Sequence, residues 1–272
     1  MIKYKGVLWK YYQSTLIPVT RPHIEINLNK IESKELLKIS GAYFLRWTNE
    51  WDRKGGEFWY VIKDEKEDLS DYKSKVRNQI KKGLKNCRVE MVDNKIIAEN
   101  GYEVYSSAFN RYKTVLKPIS EEYFKKSILN SKDLDFWGVY YKNKLIAYAQ
   151  NQIHNNVCNY STIKIHPNFL KFYPSYALIY EMNRYYLNEM NFLYVSDGAR
   201  SIAHQTNIQN FLIQKFRFRK AYCKLNIYYR KDLEVVVKML YPIRKILIKI
   251  DNKLFQKLNI LLKQEEIRRS FD

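Results

Sequence analysis

Residues 192–229 place the strongest constraint on how this chain folds. They read as a buried strand (192–195), a polar turn opening on Ser196, Asp197 and Gly198, a helix (206–216) and a second strand from Phe218. A strand that delivers polar groups to the carboxyl edge of a sheet, facing a helix N-terminus, is a common way to build a site in α/β proteins. The segment therefore predicts either a functional site or a solvated loop, because Asp-Gly alone also marks ordinary turns.

The 272 residues, 46% of them hydrophobic, are enough for one large domain or two small ones. No apolar run reaches about 18 residues, so no transmembrane helix is expected. The first ten residues lack the separate charged and apolar regions of a signal peptide, which predicts a cytoplasmic protein. The three dispersed cysteines favour reduced thiols over disulfides. The histidines show no metal-ligand spacing, so no bound metal is expected.

The formal net charge of +20 restricts the partners that suit the chain. Nucleic acid, an anionic membrane surface and a polyanionic substrate each complement such a charge. A lysine-rich composition arising from AT-biased coding explains the same charge without any function. Charge alone does not decide between these explanations.

Short aromatic and β-branched runs predict strands in the first third of the chain, at residues 7–12, 23–28, 42–47 and 57–62. At 70–84 the apolar period becomes helical, and lysines cover the other faces. This basic helix either lines a groove for an anionic ligand or is a solvated face. Further helices are predicted at 97–113 and, with Ser120 as N-cap, at 120–129.

Beyond residue 130, strands at 135–141, 145–153 and 157–165 are joined by tight polar turns and predict an antiparallel meander. A helix follows from Pro174 through Met190. With residues 192–229, the order becomes strand, strand, strand, helix, strand, helix, strand.

This order, with these residues, resembles the GNAT superfamily of acyltransferases, and within it the Fem-type proteins of bacterial envelope pathways. Ile165-His166-Pro167 resembles the Val-x-Pro that precedes the cofactor loop. The helix from Pro174 resembles the one whose N-terminus receives the coenzyme A pyrophosphate. Residues 211–219 resemble the closing signature Leu, Lys, Phe, Gly, Phe. A basic run in the first half of Fem-type proteins is matched by Arg77, Ile80, Lys81 and Lys82.

The resemblance implies an α/β (α+β) fold with a mixed, largely antiparallel sheet flanked by helices. It divides the chain into a degenerate GNAT-like N-terminal half (residues 1–130), a GNAT-like acyltransferase core (131–231) and a basic amphipathic helical tail (232–272). In the tail, apolar residues recur every three or four positions beside lysines and arginines. A helix at 240–262 either lies on an anionic membrane surface or docks on the domain or on a second copy.

The donor implied by the resemblance is acetyl-CoA or another acyl-CoA. Residues 170–175 depart from the superfamily because they lack the glycines that let backbone N–H groups approach a pyrophosphate. Arg217 also stands where the closing signature usually has a glycine. Fem-type proteins lack this loop too and use aminoacyl-tRNA, so charged tRNA is the alternative donor.

Acyl transfer to an amine needs a bound donor, a group that accepts the amine proton and hydrogen bonds to the developing oxyanion. Asp197 and His204 are the candidates for acid–base chemistry, and Arg200 suits an acceptor carboxylate or phosphate. The residues expected to bind the donor, each with an ordinary structural or surface role as its alternative, are Tyr160, Ser161, Lys171, Ser175 and Asn207.

The leading interpretation is a cytoplasmic acyltransferase, either free or peripheral on the inner membrane face. Its acceptor would be an amine, such as that of an amino sugar, on a small envelope or polysaccharide precursor. One alternative is a Fem-like aminoacyl transferase that uses charged tRNA. The other is a non-catalytic protein that binds polyanions or membranes on a GNAT scaffold.

Overall fold

A computed structural model describes residues 1–12, 14–111, 117–202, 207–248 and 252–271. The strands are β1 (Ile2–Tyr4), β2 (Val7–Tyr12), β3 (Thr15–Pro18), β4 (Phe44–Arg53), β5 (Trp59–Lys63), β6 (Arg88–Val92), β7 (Leu134–Tyr141), β8 (Lys144–His154), β9 (Val157–Ile165), β10 (Tyr194–Ala199) and β11 (Arg219–Tyr229). The helices are α1 (Lys30–Ser40), α2 (Ser74–Asn86), α3 (Asn94–Asn100), α4 (Tyr102–Phe109), α5 (Glu121–Leu129), α6 (Pro174–Asn183), α7 (Asn207–Phe216), α8 (Lys231–Leu240), α9 (Arg244–Leu247) and α10 (Lys253–Arg269).

The chain forms two compact units that alternate along the sequence. Unit 1 comprises residues 1–61, 199–207 and 220–272, and unit 2 comprises residues 62–198 and 208–219. The division predicted at residues 130 and 231 stays a prediction, because it concerns resemblance to GNAT halves rather than compactness.

In unit 1, strands β1, β2 and β3 pair antiparallel in succession. Strand β3 then pairs parallel with β4, and β4 pairs antiparallel with β11. Trp9, Leu36 and Leu45 are fully buried in one cluster, so α1 covers this sheet with its apolar face.

In unit 2, strands β6, β7, β8 and β9 pair antiparallel in succession, and β10 pairs parallel with β9. The predicted meander is β7, β8 and β9, and the elements after it follow in the predicted order. The bounds of one strand differ: the strand predicted at 192–195 is β10, which begins at Tyr194 and runs to Ala199, so Ser196, Asp197 and Gly198 lie in the strand and not in a turn. The mixed, mostly antiparallel pairing with flanking helices confirms the predicted fold class.

The predicted strand at residues 23–28 is wrong, because this segment forms no regular element. The Glu25 carboxylate instead accepts hydrogen bonds from the backbone N–H groups of Glu50 and Trp51, both at 3.0 Å. Ile26 is buried in the core of unit 1. The segment is therefore held by a side chain that binds backbone groups and not by a strand ladder.

Helix α1 was not predicted, although its signal is present in the sequence. Asn29 accepts hydrogen bonds from the N–H groups of Ile31 and Glu32, and Glu32 accepts one from the N–H of Asn29. This reciprocal pair is a capping box. Gly41 ends the helix with a φ of 68°, a conformation that glycine adopts without strain.

Several predicted helices differ in extent. The helix predicted at 97–113 is two helices, α3 and α4, which meet at Gly101, and residues 112–116 lie outside the described part. The helix from Pro174 continues beyond α6 as a π-helical turn, Arg184–Glu189. Ser120 caps α5 as predicted by accepting a hydrogen bond from the N–H of Tyr123.

The tail is a series of helices and not one amphipathic helix. Pro242 lies in a 3-10 turn after α8, where its missing N–H interrupts the helix. Helix α10 packs into the core of unit 1, to which it belongs: Ile267 is fully buried in the cluster of Phe58, and Tyr229 donates a hydrogen bond to Glu265 at 3.0 Å. Within the described ranges, no helix combines the length and the apolar character needed to cross a bilayer.

Candidate active site

Strand β10 carries Asp197 out of the interior of unit 2. Val195 and Ser196 are buried, and Asp197 is partly exposed near the carboxyl end of the strand. The Gln209 side chain on α7 forms a hydrogen bond with the Asp197 carboxylate. Burial raises the pKa of Asp197 to about 7, although the Gln209 hydrogen bond opposes this rise. A carboxyl group with such a pKa can accept a proton at neutral pH and release it again.

The neighbouring strand β9 brings Tyr160 to the same face of the sheet as Asp197. Strands β9 and β10 run parallel with Asn159 opposite Ser196. Because side chains alternate along a strand, the residues that follow this pair, Tyr160 and Asp197, share the opposite face. That face is the one that α6 and α7 cover, since Tyr160 contacts α6 and Asp197 contacts α7.

Strand β9 is irregular at Ser161. Tyr160 and Thr162 pair with consecutive residues of β8, Asn151 and Gln150, so Ser161 is an extra residue in the ladder. Its side chain is exposed. Bulges of this kind take a residue out of the regular ladder and recur beside active sites. A backbone N–H at such a point is suited to hold a ligand oxygen.

Tyr160 points into the interior of unit 2. Its hydroxyl donates to Asn183 Oδ1 at 2.8 Å, and Asn183 Nδ2 donates to Glu67 Oε2 at 2.6 Å. Glu67 Oε2 lies 3.9 Å from Lys63 Nζ, and all four side chains are buried. Burial raises the pKa of Glu67 and lowers that of Lys63. The Tyr160 hydroxyl is therefore engaged in a buried chain of polar groups behind the site.

Sequence reasoning missed the other members of this buried chain. Asn183 gave the one usable signal, because a polar residue falls four positions after Ile179 in the apolar stripe of the helix from Pro174. Lys63 is the last residue of β5, and nothing in its spacing marks it as buried.

The start of α6 presents few free N–H groups to a phosphate. Pro174 has none, and the N–H groups of Tyr176 and Ala177 both bond to the Tyr173 carbonyl oxygen, at 3.1 and 3.2 Å. Gly83 of α2 lies against the same turn: a Cβ at Gly83 would fall 2.6 Å from that oxygen. The turn is thus occupied by its own bonds and by α2.

Lys171 and Ser175 flank this turn. Lys171 is exposed, and its ammonium lies 5.2 Å from the centroid of the Phe172 ring. Ser175 is partly exposed at the second position of α6. The two predicted donor-binding residues therefore lie at one end of α6, without a cradle of backbone N–H groups between them.

Arg200 belongs to unit 1. Its N–H donates to the Trp59 carbonyl at 2.8 Å, and its guanidinium lies 5.7 Å from the centroid of the Trp59 ring and 3.5 Å from the Glu57 carboxylate. Arg200 lines a cavity of about 320 Å³ within this unit. Asn207 is exposed at the first position of α7, and His204 lies outside the described residues.

The described residues hold no cluster of three histidine, cysteine, aspartate or glutamate side chains that is arranged to bind a metal ion. Cys87, Cys158 and Cys223 are buried as free thiols.

No protein-family model and no curated protein matches the sequence. Solved structures do match the fold. FemX superposes with a TM-score of 0.57 at 12% identity, over 83% of this chain and 84% of its own. The C-terminal domain of an Agrobacterium fabrum protein named as a lysylphosphatidylglycerol synthetase gives 0.53 at 10% identity, over 88% and 87% of the two chains. L-PGS from Bacillus licheniformis gives 0.50 at 13% identity, over 88% and 85%.

The chain has a GNAT-like fold, which it shares with FemX and with these synthetase domains. Within this GNAT-like fold, the predicted site residues separate into groups. Asp197 and Ser161 lie on neighbouring strands of unit 2, whereas Arg200 lines the cavity of unit 1.

The raised pKa of Asp197 predicts a pH-dependent stability. Between pH 4 and 7 the folded protein keeps a proton that the unfolded chain, with an ordinary aspartate pKa of 3.8, has already lost. The free energy of unfolding therefore falls as pH rises through this window, by up to about 1.4 kcal/mol per pH unit, and the loss ends above about pH 7. Asp197→Asn removes this slope. Urea titrations should therefore show that the free energy of unfolding of the variant increases relative to that of the wild type from pH 4 to pH 8.

The control is Asp133→Asn, which changes an exposed aspartate of the same unit and should keep the wild-type slope. Parallel stability curves for the wild type and Asp197→Asn would show that Asp197 titrates as an ordinary carboxyl group.

Proposed function

We propose that this chain transfers an aminoacyl group from charged tRNA to an amine, with Asp197 as the general base. The observation that carries the proposal is the Asp197 carboxyl group, whose pKa burial raises to about 7, at the end of a strand whose neighbour bulges at Ser161. The fold shared with FemX and with lysylphosphatidylglycerol synthetase domains supports it, since the latter name describes the attachment of lysine to an acceptor.

The geometry suits amide formation from an ester. The amine attacks the carbonyl carbon of the aminoacyl ester, a C–N bond forms, and the bond between that carbon and the ribose oxygen breaks. Asp197 takes the proton that the amine loses and then gives it to the departing ribose oxygen. The backbone at Ser161 donates to the carbonyl oxygen while negative charge develops there. A base with a pKa near 7 is half ionised at neutral pH, which suits both proton steps.

The start of α6 favours tRNA over acyl-CoA as the donor. A pyrophosphate needs several unpaired N–H groups, whereas at this turn Pro174 has none and the N–H groups of Tyr176 and Ala177 are bonded to the Tyr173 carbonyl oxygen. Gly83 of α2 fills the space beside that turn. Acyl-CoA, the donor first implied by the resemblance, stays a prediction that direct binding can decide.

Helix α2 supplies a surface that suits a nucleic acid backbone. It carries five basic and no acidic residues. Lys75, Lys81, Lys82 and Lys85 are exposed, and within the described ranges none of them lies in an ion pair. Unpaired lysines on one helix bind phosphates without reading sequence. We assign the tRNA phosphates to this face.

The acceptor remains the amine first predicted, on a small envelope or polysaccharide precursor such as an amino sugar. A base such as Asp197 makes an amine a suitable acceptor at neutral pH, because the base takes the proton that the amine loses as it attacks.

Asp197→Asn should lower the rate of transfer by at least about 100-fold, since a positioned general base contributes 10²- to 10⁴-fold. Transfer is followed with radiolabelled bulk aminoacyl-tRNA and a panel of amino-sugar and diamine acceptors. Asp133→Asn serves as the control and should transfer at the wild-type rate. Full activity of Asp197→Asn would remove Asp197 from the mechanism. Transfer from acetyl-CoA but not from aminoacyl-tRNA would overturn the proposal that charged tRNA is the donor.

Replacing Lys75, Lys81 and Lys82 with alanine should weaken tRNA binding at least tenfold and flatten its dependence on salt. Each lost phosphate contact lowers the slope of log K against log salt by about 0.7 to 0.9. Filter binding at several salt concentrations measures both quantities. A control that removes the same charge from exposed lysines elsewhere in unit 2 is Lys117, Lys126 and Lys132 to alanine. Equal losses in both triple variants would mean that α2 is not the tRNA surface.

We further propose that α8 and α9 contact an anionic membrane. Val236, Met239, Ile243 and Ile246 recur three or four positions apart and are 39 to 66% exposed. Residues 231–248 contain four basic and two acidic residues, and Lys231 and Lys245 are exposed beside the apolar stripe. An apolar stripe flanked by cations suits the interface of an anionic bilayer.

Replacing both Met239 and Ile246 with glutamate should reduce binding to vesicles of phosphatidylcholine and phosphatidylglycerol at least tenfold in cosedimentation. The control replaces Ile31 and Leu129 with glutamate. These two exposed apolar residues are distant in sequence from α8 and α9. It introduces the same charge and should bind as the wild type does. Undiminished binding of the Met239 and Ile246 variant would refute the membrane surface.

A further inference from the structure

Unit 1 contains a cavity of about 320 Å³ that the proposed transfer does not use. Its polar lining includes Thr15, Arg46, Arg200, Ser201 and Gln264, and its walls include aromatic rings. Among the described residues that line the cavity there are two guanidinium groups and no carboxylate. A cavity of this size lies at the small end of the range for sites that hold small molecules.

Arg46 is a cation without a counter-ion in the described parts of the chain. It projects from β4 and is partly buried, and its Nη1 donates to the neutral Gln264 side chain at 2.8 Å. Burial lowers the pKa of Arg46, because the charged form loses water. A buried charge is unfavourable unless an opposite charge or several hydrogen bonds compensate it. Within the described ranges Arg46 has one hydrogen-bond partner, which is neutral, so an anion that enters the cavity completes the compensation.

Thr15 presents a second incomplete group at the cavity. Its side chain is 2% exposed, and its Oγ1 has no hydrogen-bond partner among the described residues. Buried polar groups are nearly always paired, so an orphaned hydroxyl at the wall of a cavity marks the place of a missing partner. The hydroxyl is a donor as well as an acceptor and can bind an anionic oxygen.

Arg200 is held at the same cavity by contacts of its own. Its guanidinium donates to the carbonyl oxygen of Glu57, lies 3.5 Å from the Glu57 carboxylate and lies over the Trp59 ring. Tyr12, Phe44 and Phe58 form apolar wall, where a flat or apolar body can pack. The cavity therefore combines charged donors that can bind an anionic group with an aromatic surface that can pack against the rest of the ligand.

We propose that this cavity is a binding site for a small molecule that bears an oxyanion, either phosphate or carboxylate, on an aromatic or apolar body. Arg46 and Arg200 bind the anion through guanidinium N–H groups, and the Thr15 hydroxyl donates to it. Planar guanidinium groups match both anions with paired hydrogen bonds. The inference does not rest on the proposed aminoacyl transfer.

Isothermal titration calorimetry with phenyl phosphate, benzoate and inorganic phosphate tests the site on the full chain. Phenyl phosphate or benzoate should bind at least tenfold more tightly than inorganic phosphate, because the aromatic walls add to the anion contacts. The tighter of the two aromatic ligands identifies the anion as phosphate or carboxylate. Failure of both to bind at millimolar concentration would overturn the proposal.

Arg46→Gln should weaken binding of the tighter ligand at least tenfold. The matched control is Arg53→Gln on the same strand, which removes an equal charge from an arginine that pairs with Glu50 and does not line the cavity. Equal affinity in Arg46→Gln and the wild type, or equal losses in both variants, would place the ligand elsewhere.

Thr15→Val keeps the proposal testable should Arg46→Gln fail to fold. The change keeps the shape of the side chain and removes the orphaned hydroxyl, so the ligand-free variant should melt at the same temperature as the wild type or higher. It should still bind the ligand three- to tenfold more weakly. A variant that melts lower and binds with wild-type affinity would mean that the hydroxyl serves the fold and not a ligand.

Discussion

A buried chain of hydrogen bonds joins strand β9 to helix α6, and the candidate site of unit 2 is built on that junction. Tyr160 of β9 donates to Asn183 of α6, and Asn183 donates to Glu67, which faces Lys63. Removing one partner of such a buried pair leaves the other uncompensated, at a cost of about 3 to 5 kcal/mol. The hydrogen bonds therefore fix β9 against α6, and backbone pairing holds β10 beside β9, with Asp197 against α7.

The same burial that anchors the site also sets its chemistry. Among the described residues, no cation contributes to the shift in the pKa of Asp197, so loss of water dominates and favours the neutral acid. Lys63 and Glu67 experience the same loss of water, but each has the other nearby. Burial in unit 2 thus has two results. Lys63 and Glu67 form a buried structural pair, and Asp197 is a separate carboxyl group that titrates near neutral pH.

The local parts of the fold were readable from the sequence. The meander of unit 2 follows from alternating strands and polar turns, and the N-cap of α5 follows from Ser120. The capping box of α1 was equally readable but was not used. The strand predicted at 23–28 was wrong because Ile26 is buried there without strand pairing, while Glu25 binds the backbone of another segment.

The candidate sites were only partly readable. Asp197 was identified because it follows a buried apolar run, which is a local feature, although the strand continues through Asp197 to Ala199. The inward direction of Tyr160 depends on Asn183, which is distant in sequence. The cavity of unit 1 brings together residues from four distant segments, namely Thr15, Arg46, Arg200 and Gln264. Spacing in the sequence does not predict such a set.

The central claim is that Asp197 removes the proton during aminoacyl transfer. The measurement that tests it most directly is the pH–rate profile of single-turnover transfer from aminoacyl-tRNA at saturating acceptor. The account predicts a rate that rises with pH and levels off with an apparent pKa near 7, and a profile without this step in Asp197→Asn. A profile with no step near 7, or the same step in both proteins, would contradict it.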